Sequence, residues 1–122
     1  MILLFFAAAV SSPNIKSVAE LRLDAVTNAW RICVTQNAAN AASSPGGIEP
    51  SLAVEIAMRD CAEFERDFRA AMYPWGSEFL RKKGIETVGP DMVNDFAEET
   101  LKLMISEIRS DNLAKLKIRS PK

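Results

Sequence analysis

A narrow apolar stripe in the middle of the chain constrains the fold more than any other feature of this sequence. Apolar residues recur there at steps of three and four, the spacing of one helical face. They are Val54, Ala57, Cys61, Phe64, Phe68 and Met72. Charged residues such as Arg59 and Asp67 fall on the far side. A stripe this narrow suits packing against a neighbouring helix, so the rest of the chain must supply helical partners.

Two further segments have the amphipathic spacing of long helices. The first runs from about Ser17 to beyond Val34, and it must end by the Ser-Ser-Pro-Gly-Gly stretch at 43–47. One wide apolar arc of this helix comprises Val18, Leu21, Ala25, Val26, Ala29, Trp30 and Cys33. The other long helix begins at Pro90 and is predicted to run to about Ser110. The chain therefore contains three long helical segments.

Proline, glycine and short polar residues predict where these helices begin and end. Pro50 favours a helix start, and the Tyr-Pro-Trp-Gly stretch at 73–76 is expected to end that helix. A short helix over 77–83 would then end at Gly84, and 110–112 should interrupt the last helix. The predicted fold is all-α: a small three- to four-helix bundle whose first two long helices form an antiparallel hairpin.

The two cysteines, Cys33 and Cys61, lie in the apolar stripes of the two helices of this hairpin. At 1.5 Å rise per residue, Cys61 lies about 15 Å beyond a helix start at Ser51, and Cys33 about 14 Å before a helix end at Ala42. Because the two heights agree, we predict a Cys33–Cys61 disulfide. The alternative is a pair of buried free thiols, as expected in a reducing cytosol.

The first residues resemble a secretory leader. An apolar run over 1–10 passes into small residues and Pro13, a pattern typical of such a segment near its cleavage site. Residues 1–12 are accordingly predicted to be a signal peptide, or else an apolar N-terminal segment packed on the domain. Residues 13–122 form a single helical domain with a basic end at 115–122. Export to the periplasm or the exterior is expected, with the cytoplasm as the alternative.

The composition excludes or disfavours several kinds of catalytic, metal-binding and nucleic-acid-binding site. The chain has no histidine, which removes the usual general base and the commonest nitrogen ligand of metals. A net charge of -1 offers no positive field for nucleic acid, so we expect no nucleic-acid partner. The sequence has no nucleotide-binding or calcium-loop motif. We assign no catalytic residue, no cofactor and no metal, and the mature chain is expected to have no transmembrane span.

Aromatic residues around Pro74 are the remaining candidates for a site. Tyr73 and Trp75, if exposed, would form a partner-binding patch, because amphipathic aromatics often anchor interfaces. The same residues could instead close one end of a small core, with their polar atoms reaching solvent or backbone.

Three functions remain open at this stage. The leading hypothesis is an exported partner-binding or accessory module of unknown biochemical activity. The second is a cytosolic helical protein that self-associates. The third, a hydrolase working without histidine, requires a cleft in which two carboxylates converge. The sequence favours a non-enzyme.

Overall fold

The computed structural model describes residues 15–119 of the chain, and this part contains four helices and no strand. The helices are α1 (Val18–Ala42), α2 (Pro50–Asp60), α3 (Ala62–Lys82) and α4 (Pro90–Arg119). The predicted all-α bundle is confirmed. The segment over 1–12 that we predicted to be a leader lies outside the described residues.

Local signals set three of the helix ends. Ser17 caps α1, because its Oγ accepts the backbone N–H of Glu20 at 3.1 Å. Pro50 occupies the first turn of α2, where its missing N–H costs nothing. Gly84 has φ +91°, and the N–H of Ile85 donates to the carbonyl of Leu80 at 3.2 Å. This Schellman motif ends α3 at the glycine that the sequence indicates.

Helices α2 and α3 follow one another as a single middle rod that is interrupted only at Cys61. The backbone N–H of Cys61 still donates to the carbonyl of Ala57 at 2.9 Å, and the carbonyl of Cys61 accepts from Phe64 at 3.0 Å. The sequence predicted continuous helix here, so the interruption corrects that expectation. It falls at the residue that is covalently bound to α1.

The three rods alternate in direction. Cys33 of α1 is joined to Cys61, whereas Ser17, just before α1, bonds to Glu78 near the end of α3. This reversed order is consistent with the predicted antiparallel hairpin. The last rod reverses again, because α4 pairs first with α3 and later with α2. Glu98 accepts from Arg69 at 2.9 and 3.2 Å, and Arg109 donates to Glu55 at 2.8 and 3.1 Å.

The core lies where all three rods meet. Its largest fully buried side chains are Trp30, Phe68, Met72, Ile108, Val34 and Cys61. The rings of Trp30 and Phe68 lie 5.4 Å apart and are inclined at 51°. This tilted geometry suits the quadrupoles of two aromatic rings and joins α1 to α3.

Two predicted interruptions are absent. Helix α3 continues through Pro74, which is exposed, so the carbonyl that loses its helical donor lies on the solvent side. Helix α4 likewise continues through 110–112. There Asn112 is buried and its Nδ2 donates to the carbonyl of Ile108 at 2.8 Å, while Leu116 packs on the core beyond it. Tertiary packing has overridden both local signals.

No helix among the described residues has a stretch long and apolar enough to cross a membrane.

Gly76 allows α3 and α4 to approach closely. A Cβ at this position would lie 3.2 Å from Cδ2 of Phe96 and 3.7 Å from Cγ1 of Val93. The absence of a side chain at Gly76 therefore brings Phe96 within stacking distance of Trp75, with ring centroids 5.9 Å apart.

We expect Gly76→Val to lower the free energy of unfolding by about 1 to 3 kcal/mol, because the added methyl groups must displace Phe96 or Val93. Urea unfolding followed by circular dichroism measures this. The matched control is Ala70→Val, which adds bulk at an exposed position of the same helix. Equal stability of the two variants would contradict the close contact.

The disulfide closes a loop with a sequence separation of 28. We expect Cys33→Ala/Cys61→Ala to lose about 3.5 kcal/mol of unfolding free energy, mainly through the freedom regained by the unfolded chain. Urea titrations with and without reductant test this. The wild-type midpoint should fall on reduction, whereas the double variant should be insensitive to the reductant.

Candidate interaction surface

The bundle leaves one side of α1 uncovered. Exposed positions at steps of three and four form what we call the outer face of α1: Val18, Leu21, Ala25, Asn28, Ile32, Gln36 and Asn40. The exposed cation Arg22 lies at the margin of this face. Val18 is 83% exposed, Leu21 54% and Ile32 56%. The sequence grouped Val18, Leu21 and Ala25 with Trp30 in one apolar arc, but the structure divides this arc and leaves these three residues exposed. Helix α1 has apolar residues on both sides, and the core takes only the side of Trp30 and Val34.

The second half of the outer face is unusually poor in charge. No charged residue occurs between Arg31 and Glu49. Depletion of charged side chains is typical of the centre of a protein interface, whereas an ordinary exposed helix carries many of them. The exposed side chains here are those of Ile32, Gln36 and Asn40.

An open groove runs between this half of α1 and the C-terminal part of α4. It has a volume of about 380 Å³ and is lined by Arg31, Ile32, Thr35, Gln36 and Lys115. The lining residues combine aliphatic carbon with amide, hydroxyl and cationic groups. This combination can accept an apolar side chain while pairing polar atoms at the rim.

The exposed side of α4 continues the apolar surface beyond the groove. Leu103 is 72% exposed and Ile118 79% exposed. Between them lies Glu107, which accepts a hydrogen bond from Arg31 of α1. Because Arg31 also donates to the sulfur of Met104 at 3.5 Å, it holds the two helices together along this edge. We call the outer face of α1 together with this edge of α4 the α1/α4 surface.

Charges of both signs flank the outer face. Nζ of Lys16 lies 2.6 Å from Oδ2 of Asp24, and this hydrogen bond and the Asp24 charge raise the pKa of Lys16. Asp24 and Arg31 are seven residues apart, so they lie on the same flank of α1, the one that faces α4. Both remain partly exposed and can take further partners.

Tyr73 and Trp75 lie on either side of the contact between α3 and α4. The hydroxyl of Tyr73 donates to Oδ1 of Asn94 at 2.6 Å, and its side chain is 38% exposed. Trp75 is half-buried and stacks on Phe79 with centroids 5.0 Å apart. Nothing tests a partner role for this pair, which stays a prediction. Their present contacts close one end of the bundle.

The carboxylates of α4 mostly serve as ion-pair partners on the surface. Glu98 binds Arg69, and Glu99 lies 3.5 Å from Lys102. Within residues 15–119, no group of three or more acidic or sulfur side chains is arranged to hold a metal ion. A second groove, between α2 and α4, is spanned by the ion pair between Glu55 and Arg109.

The sequence pattern did not indicate the α1/α4 surface, because a helix that is apolar around most of its circumference resembles a buried one. The charge-free stretch after Arg31 is the signal that could have identified it. Comparison of the chain with protein-family models, with curated proteins and with solved structures finds no match to any of them.

Proposed function

We propose that this chain is an exported partner-binding module that binds through the α1/α4 surface. The observation that carries the proposal is the row of exposed apolar side chains along α1, from Val18 through Leu21 to Ile32. Exposure of such a row to water does not stabilise a folded monomer. A partner that covers the row removes apolar surface from water, which contributes about 25 cal/mol of binding free energy per Å².

The groove and the edge of α4 support the same proposal. Ile32 lies in the groove beside Thr35 and Gln36, so an incoming apolar group would meet both hydrocarbon and hydrogen-bonding atoms. Arg31 and Lys115 stand at the rim. An apolar centre with a polar, charged rim is the usual composition of a specific interface.

Export is supported by the Cys33–Cys61 disulfide together with the apolar run over 1–10. Disulfides persist in oxidising compartments and are rare in the cytosol. The amide Nδ2 of Asn37 lies 3.5 Å from Sγ of Cys33 and 3.7 Å from Sγ of Cys61, and it donates to the Cys33 carbonyl at 2.8 Å. The cross-link is thus integrated in the fold and stiffens the helix that presents the surface.

The mass of the protein purified from its native host tests export. We expect a mass that lacks about the first ten residues, with Cys33 and Cys61 alkylated only after reduction. A full-length chain with both thiols freely alkylated in denaturant would favour the cytosolic alternative instead.

Substitution of Ile32 tests the binding surface. In native host extract, the wild-type protein should elute from gel filtration above its monomer mass. Ile32→Asp should shift it to the monomer position, because a charge in the centre of an interface weakens binding at least about tenfold. Leu52→Asp is the matched control, since Leu52 has similar exposure but lies on α2. The proposal fails if Ile32→Asp elutes with the wild type.

A further inference from the structure

We infer that the partner of the α1/α4 surface is a second copy of this chain, with the two α1 helices packed antiparallel about a twofold axis near residue 27. This inference rests on the proposed function and names the occupant of the same surface. Four features of the α1/α4 surface favour a second copy: the symmetry of its pattern, the position of its groove, the placement of its charges and its area.

The pattern of the outer face reads nearly the same in both chain directions. With two antiparallel copies centred near residue 27, Leu21 of one copy lies opposite Ile32 of the other, and Ala25 lies opposite Asn28. Val18 likewise lies opposite Gln36. Small residues thus occupy the centre, where the two helices approach most closely, and large apolar residues occupy both flanks. Such self-complementarity is what a twofold interface requires.

The groove falls where the second copy offers apolar side chains. Its lining residues on α1 lie between Arg31 and Gln36. In the antiparallel arrangement this level of one copy meets Val18 and Leu21 of the other, which are exposed in the monomer. Because the interface is twofold, Val18 and Leu21 of each copy enter the groove of the other copy in the same way.

The charges on the flank of α1 that faces α4 are complementary under the same rotation. Asp24 and Arg31 are nearly equidistant from residue 27 and lie on the same flank of α1. Each Asp24 therefore meets the Arg31 of the other copy. Arg31 has five N–H donors, so it can keep Glu107 of its own chain while pairing with Asp24 across the axis. A net charge of -1 adds little general repulsion between two copies.

The available area is that of a small interface. Centred near residue 27, the two α1 helices overlap over 18–36, a length of about 28 Å at 1.5 Å per residue. A strip about 20 Å wide, covering this part of α1 and the edge of α4 with Leu103, measures roughly 560 Å². Interfaces of standard size bury about 800 Å² on each partner, and weak ones bury less than about 600 Å². We therefore expect a dissociation constant between about 1 μM and 1 mM.

Two charge reversals test the register. In the Asp24→Arg variant, the substituted side chain of each copy faces Arg31 of the other copy, so two cations meet at each end of the contact. In the Arg31→Glu variant, the substituted side chain faces Asp24, so two anions meet at each end. Each variant alone should dimerise at least about tenfold more weakly than the wild type in sedimentation equilibrium. An equimolar mixture should recover dimerisation through a heterodimer. In it the two substituted side chains pair with each other at one end of the contact, and the native Arg31 meets the native Asp24 at the other end.

Glu63→Arg and Arg66→Glu are the matched controls, because they reverse exposed charges on α3, outside the surface. Both should dimerise like the wild type. Circular dichroism confirms that each variant is folded. If either reversal on α1 unfolds the chain, Leu21→Glu and Ile32→Lys provide a second test. In their mixture the two substituted side chains pair at one end, and the native Ile32 meets the native Leu21 at the other end.

Two results overturn the inference: a wild-type chain that stays monomeric up to about 1 mM, or a mixture that dimerises no better than its separate components. These outcomes are distinguishable from failure of the proposed function. A complex in host extract that depends on Ile32, found together with a monomeric purified chain, leaves the binding module intact and shows a different partner.

Discussion

The disulfide at the interruption of the middle rod sets the register on which the rest of the bundle depends. Cys61 is both the residue that separates α2 from α3 and the residue bound to α1. Away from this point the two rods stay in register. Ser17 is hydrogen-bonded to Glu78, and the separation of Ser17 from Cys33 along α1 nearly equals that of Glu78 from Cys61 along α3. Trp30, about one turn before Cys33, packs on Phe68 of α3. The large ring of Trp30 stabilises the core by about 4 to 6 kcal/mol through burial. That gain exceeds the roughly 1 to 3 kcal/mol lost because its buried Nε1 has no partner among the described residues.

A bundle of three rods gives each helix only two neighbours, and this geometry decides what α1 leaves exposed. The middle rod covers the side of α1 with Cys33 and Asn37, and α4 covers the side with Arg31. The remaining arc has no neighbour in the described chain, yet it carries Val18, Leu21 and Ile32. The exposed apolar row is therefore a consequence of an apolar helix placed in a bundle with too few helices to surround it.

The sequence predicted the fold class, the cysteine pairing and the Gly84 helix end, because each rests on local spacing or on a single backbone conformation. It failed at Pro74 and at 110–112, where local propensity and tertiary packing disagree. Pro74 loses one hydrogen bond on the solvent side, a cost that the buried Met72 and Gly76 contacts on either side offset. At 110–112 the helix persists because the buried Asn112 satisfies its own amide and Leu116 gains burial. Periodicity alone did not indicate the candidate surface, since it shows which residues are apolar but not which apolar side has a neighbour.

The two candidate sites differ in the contacts that their side chains already make within the bundle. Trp75 already stacks on Phe79 and Phe96, and Tyr73 already donates its hydroxyl to Asn94. A partner that used these rings as anchors would have to compete with contacts worth about 0.5 to 1.5 kcal/mol each. Ile32, Leu21 and Leu103 give up no comparable contact on binding, and their aliphatic side chains lose little rotamer entropy. Little of the free energy gained by burying that exposed apolar area is therefore lost again, and this difference favours the α1/α4 surface over Tyr73 and Trp75 as the proposed interface.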